Sequence, residues 1–291
     1  MRVLLALLLL LSTSAASALA GAFDDPLDEA AIRAEYVERL RASGVFTEVT
    51  PLPDGTIEYS WAAGGPASSY LGNLYKDMRL VQPEEREAKL QAFVETAIRI
   101  ATATDDVPDP ASLMITVYDE GYIREVTALG ANQSPALTFA EAMQPRQRIA
   151  GELWKVIVAD TPVSVNQLDE TALAEMGLSK AEAWIRATAN LEQAASGLGL
   201  ETHDGFWSLA LDGYYENALM TVGWLWPRIG EIIEGTPVVS TPARGVVMIA
   251  RADNPAGIEA MRIAAREVYE SFGHPLTLQT YIWQDQGWEV F

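Results

Sequence analysis

The apolar residues of this chain change period along its length, and that change sets its fold class. Leu90, Phe93, Val94, Ala97, Ile98 and Ala101 fall at i, i+3, i+4, i+7, i+8 and i+11. This spacing is one core-facing stripe, so it predicts a helix over Glu84–Thr102, with Pro83 suited to its first turn. Between Thr56 and Trp61 the period drops to two. Ile57, Tyr59 and Trp61 alternate with Glu58 and Ser60, and Phe46–Val49 precedes them across a PLPDG turn. That is a β-hairpin with one buried face. Helical stripes and hairpins in mixed order predict an α+β fold, with mixed helices and antiparallel hairpins.

Further elements follow from the same periods. Ala30–Arg41 reads as an amphipathic helix, Ala62–Ser69 as a loop, Leu113–Tyr118 as a strand and Glu141–Ile149 as a weak helix interrupted by Pro145. Leu153–Val158 is a β-rich run, and Asp169–Met176 a short helix stopped by Gly177. Ser179-Lys180-Ala181-Glu182 is a capping box opening a helix that ends near Gly197. Hairpins are expected around His203-Asp204-Gly205 and Asp285-Gln286-Gly287. Tyr215–Ile233 reads as a helix broken at Pro227, and Asn254-Pro255 as the start of a helix through Phe272. The run VVMIA before Arg251 is continuous, as in a strand buried on both faces. The order helix, hairpin, helix, strand occurs at Ala30–Tyr118 and again at Lys180–Ala250. It admits an internal duplication; the alternative is the ordinary alternation of a mixed fold.

The first twenty residues carry an address. Arg2 precedes an unbroken apolar run, Val3–Leu11, and Ala18 and Ala20 place small residues at −3 and −1 of a cut after Ala20. Such a segment is a secretory signal peptide. Nine apolar residues span about 14 Å as a helix, roughly half a bilayer core, which argues against an anchor. With no cysteine at the cut the lipoprotein route is closed. Among the basic residues Arg far outnumbers Lys, and Ala is abundant. That composition fits a GC-rich bacterial genome. The expected location is the periplasm, with release to the medium as the alternative. Two units follow the leader, 21–130 and 131–291, with one compact domain as the alternative.

Charge and composition exclude several functions. The formal charge is −20. It opposes general nucleic-acid binding and docking on an anionic membrane, both of which need clustered Lys and Arg. The absence of cysteine removes disulfides, thiolate nucleophiles and thiolate metal sites.

No catalytic set assembles from the remaining residues. There is no G-x-S-x-G elbow, and only His203 and His274 could be imidazole bases. His203 sits at a hairpin tip and His274 between Gly273 and Pro275, where structural roles suffice. Asp105, Asp106 and Asp109 lack the spacing of a calcium loop. No cofactor or metal is expected. Trp224 and Trp226, two apart, cannot face the same side of a helix. One of them is a candidate surface contact for a partner; the alternative is core packing for one and a cap over the kink at Pro227 for the other.

The segment WKVIVADTPVSVNQLDETALAEMGLSKAEAWIRATANL, from Trp154 to Leu191, carries Asp160-Thr161-Pro162-x-Ser164 and then Gly177-Leu178-Ser179 with Glu182, Ala187, Asn190 and Leu191. With Asn73–Asp77, Asp212-Gly213-Tyr214 and the stretch TPVVSTPARGVVMIA, it resembles the uncharacterised bacterial domain-of-unknown-function family 1444. The similarity is densest from about 150 to 290. The leader and the Ile115–Asp119 region depart from the family's pattern. The resemblance implies an α+β fold and carries no activity, ligand or catalytic residue.

The expected function is therefore that of a non-enzymatic soluble periplasmic protein binding a protein or peptide partner. The alternative is an envelope-polymer hydrolase using an Asp/Glu pair in a cleft.

Overall fold

The computed structural model describes residues 21–53, 55–62, 64–102, 108–124, 145–161 and 165–291, without the side chains of 64–66. The leader, with Ala18 and Ala20, lies outside the described residues, as do Asp105 and Asp106. Helices combine with antiparallel sheets, so the fold is α+β as expected. The chain divides into two compact units at Thr104/Asp105. The boundary falls there and not at 130/131 because Leu113–Asp119 pairs along its whole length with Leu153–Asp160.

In the N-terminal unit, α1 (Glu29–Ala42) begins where the Asp28 side chain accepts from the Ala31 amide at 2.9 Å. It buries Ile32, Tyr36, Val37 and Leu40. Strands β1 (Phe46–Pro51), β2 (Thr56–Trp61) and β3 (Gly64–Tyr70) form an antiparallel sheet in that order. The alternation read in β2 holds, with Ile57 and Tyr59 buried. The expected loop over Ala62–Ser69 is corrected: most of it is β3. Its Gly, Pro and Ser residues carry no apolar alternation, so only the backbone ladder to β2 reveals it. An edge strand needs partners on one side only and tolerates proline.

Helices α2 (Gly72–Arg79) and α3 (Pro83–Thr102) complete the unit. The α3 stripe faces the core as read: Leu90, Val94, Ala97 and Ala101 are buried. Arg86 is buried as well. It donates to the Met78 carbonyl at 2.8 Å and the Phe23 carbonyl at 2.6 Å, and pairs with Asp25 at 2.9 Å.

The C-terminal unit holds two sheets. In the first, β6 (Leu153–Asp160) pairs with β4 (Leu113–Asp119) on one side. It pairs with β5 (Arg146–Ala150) and β7 (Val165–Gln167) on the other. The expected helix over Glu141–Ile149 is thus corrected where it is described. The long apolar run of β6 offers 146–150 a ladder partner, and that overrides a weak helical preference. Helix α4 is Glu170–Glu175, and α5 is Lys180–Ala194 with the capping box present as read. Helix α5 packs on β4 through Ala183, Ala187 and Leu191, and the Asn190 side chain donates to the Leu113 carbonyl at 2.8 Å.

The second sheet runs β13-β12-β10-β11-β9-β8. Its strands are β8 (Gly199–Thr202), β9 (Trp207–Ala210), β10 (Pro237–Ser240), β11 (Met248–Arg251), β12 (Thr280–Gln284) and β13 (Gly287–Val290). Both expected hairpins are present. Helix α7 (Pro255–Ser271) covers one face, burying Ile258, Met261 and Ala265 against Val238, Met248 and Ala250. The alternate residues Val239, Ile249 and Tyr281 enter the larger core shared with the first sheet. Burial on both faces explains the unbroken apolar run before Arg251.

The expected helix over Tyr215–Ile233 resolves into a 3-10 segment, Glu216–Thr221, and α6 (Leu225–Ile233). The break falls at Val222-Gly223. Pro227 lies in the first turn of α6, where its missing N–H is not needed. The repeated helix, hairpin, helix, strand order is not confirmed as two equivalent units. In the first set the hairpin and the last strand lie in different units, whereas in the second the strands share one sheet. Among the described residues, no helix is long and apolar enough to cross a membrane.

Candidate functional site

A cleft of about 450 Å³ opens in the N-terminal unit. Glu29 and Arg33 line it from the start of α1, one turn apart, and Tyr70 from the end of β3. Tyr75, Lys76 and Arg79 line it from α2 at spacings of three and four, which place them on one helix face. A β-carbon at Gly72 would sit 2.4 Å from the Tyr70 ring, so the bare glycine lets that ring lie over the first turn of α2. The ring is 65% exposed.

The polar groups have different commitments. Arg79 pairs with Glu29. Arg33 donates to the Leu52 carbonyl at 2.7 Å. The Tyr75 hydroxyl donates to the Glu29 carbonyl at 3.1 Å, and burial pushes its pKa up to about 12, so it stays neutral at ordinary pH. Lys76 makes no ion pair among the described residues. Among the described residues, three cations against one carboxylate line this cleft, on a chain of formal charge −20. Such a site can seat a carboxylate-bearing ligand. Its residues form no nucleophile-and-base pair.

A second cleft, of about 430 Å³, lies against Glu152, Tyr269 and 276–279 in the C-terminal unit. Neither cleft holds two facing carboxylates. Among the described residues, the two carboxyl groups with displaced pKa values, Glu182 and Asp253, are both lowered. The chief causes are the Ser179 hydroxyl for the first and the Arg251 guanidinium for the second. Among the described residues, no group of three or more His, Asp or Glu side chains converges as a metal site would require.

The structure separates the two tryptophans. Trp226 is fully buried, donates to the Leu219 carbonyl at 3.0 Å and meets Trp288 edge-on at 4.6 Å, so it has no surface for a partner. Trp224 is 53% exposed and donates to Glu192 at 3.1 Å. His203 is exposed at its hairpin, 2.8 Å from the Ser208 hydroxyl and stacked on Phe206. His274 has a positive φ of 52°, and its carbonyl accepts from the Arg244 amide.

No family model, no curated protein and no solved structure matches the chain. The cleft residues were not among the sequence candidates. Lys76 and Arg79 lie in a short polar stretch, LYKDMR, and nothing local joins them to Arg33, more than forty residues earlier. The packing of α1 and α2 on α3, with α1 also on the sheet, makes them one site.

Proposed function

We propose that the chain is an exported, non-enzymatic binding protein that holds a protein or peptide partner by an acidic segment seated in the N-terminal cleft. The observation carrying this is the cluster Arg33, Lys76 and Arg79 around one cleft on an otherwise strongly acidic chain. At physiological salt the screening length is about 8 Å, so a partner carboxylate in the cleft feels these cations more than the distant acids. Tyr70 adds an exposed ring of the kind that anchors interfaces. The leader, with Ala18 and Ala20 before the cut, supports a periplasmic location; release to the medium is the other address. The likeness to family 1444 carries no established activity, so the proposal rests on the chain's own residues.

Capture from a periplasmic extract tests it. A retained protein should elute as salt rises and should be lost with Lys76→Glu. Retention of nothing above background contradicts the proposal.

A further inference from the structure

A second cationic feature lies wholly within the C-terminal unit. Strand register places Thr116 and Tyr118 of β4 on one sheet face with Trp154 and Val156 of β6, their direct partners. Tyr122, on the helical turn at 120–124, stacks on Tyr118 with centroids 4.1 Å apart. The Arg244 guanidinium carbon lies 5.6 Å from the Tyr118 ring and 5.2 Å from the Tyr214 ring.

This guanidinium is half-buried and has no counter-ion among the described residues. Its Nη1 donates to the Tyr214 hydroxyl at 3.2 Å. Its Nε is buried and, among the described residues, donates to nothing. Among the described residues it makes no salt bridge. The carboxylate that acts on the same Tyr214 ring, that of Asp160, is engaged by another residue. Asp160 accepts from the Tyr215 hydroxyl at 2.8 Å. The tyrosines cannot serve either. Burial raises the pKa of Tyr122 to about 12 and also raises those of Tyr214 and Tyr215, so all three are neutral at ordinary pH. Contact with two rings offsets part of the cost of desolvating the cation. It leaves the buried Nε–H without an acceptor, which is costly.

We propose that Arg244, walled by Tyr118 and Tyr214, is the binding site for the carboxylate of a small molecule with an aromatic or apolar body. A planar carboxylate matches the guanidinium edge, and the ring walls match an apolar body. One unpaired positive charge selects a monoanion. A phosphate dianion would bring excess negative charge beside Asp160, whose carboxylate already acts on Tyr214.

Benzoate and inorganic phosphate are the probes, titrated separately into nitrogen-15-labelled chain purified after export. The readout is the Arg244 Nε–H resonance, assigned through bonds. Benzoate should shift that resonance saturably. Phosphate should bind at least about tenfold more weakly, and Arg244→Lys should lose about tenfold or more in benzoate affinity while keeping its circular-dichroism spectrum. The absence of a saturable benzoate shift would overturn the proposal, as would phosphate binding as tightly as benzoate. If Arg244→Lys does not fold, the two titrations of the parent chain decide alone. The site is confined to the C-terminal unit, so its failure would not touch the cleft of the N-terminal unit.

Discussion

Gly245 approaches Gly213 so closely that a β-carbon on Gly245 would lie 2.1 Å from the Gly213 carbonyl oxygen. Both residues have positive φ, 72° and 77°. The contact joins the turn carrying Tyr214 to the turn carrying Arg244 and so sets the cation beside the ring. Gly245→Ala meets both a disfavoured backbone conformation and a backbone clash that no rotamer relieves. It should cost about 2 kcal/mol or more in chemical denaturation. A midpoint indistinguishable from the parent would show that the two turns are not coupled this way.

The tryptophans two residues apart should behave oppositely. Trp226→Ala removes a fully buried ring, its hydrogen bond to Leu219 and its edge contact with Trp288. The expected loss is about 3–5 kcal/mol. Trp224→Ala removes a half-exposed ring bonded to Glu192, and should stay within about 1 kcal/mol. Equal losses would contradict the burial described for the pair.

Alkaline pH should unfold the chain in a defined window. Burial raises the pKa values of Tyr75, Tyr122 and Tyr281 to about 12, above an unfolded value of 10.0. A raised folded pKa means the folded state holds its proton more tightly, so this stabilisation is complete below about pH 10 and is lost as pH climbs toward about 12. Stability measured by denaturant titration should fall across that interval, together with the rise of tyrosinate absorbance. Flat stability to pH 12 would contradict the burial of these hydroxyls.

What was legible in the sequence is what depends on local period and local caps. The α3 stripe, the capping box Ser179/Glu182 and both hairpins of the six-stranded sheet all follow from neighbours within a few residues. Strand β3 was not legible, because its Gly-Gly-Pro-Ala-Ser-Ser composition is held by backbone pairing to β2. Strand β5 was not, because its partner β6 decides its conformation. Pro227 is the stronger local break signal, yet proline is harmless in a first turn, and the break falls at Val222-Gly223 instead. The cleft was invisible because Arg33 and Lys76 come to line one pocket only through the tertiary packing of α1 and α2 on α3.

The central claim is that the cleft binds an acidic segment through Lys76 and its neighbours, and one titration tests it most directly. A labelled Glu- and Asp-rich peptide is followed by fluorescence anisotropy against the parent chain and Lys76→Glu, with a Lys-rich peptide of equal length as control. Exposed ion pairs contribute up to about 1 kcal/mol each, and reversal adds repulsion, so Lys76→Glu should weaken the acidic peptide about tenfold. Rising salt should weaken parent binding, and the Lys-rich peptide should not compete. No binding of the acidic peptide, or equal binding to parent and Lys76→Glu, would contradict the account.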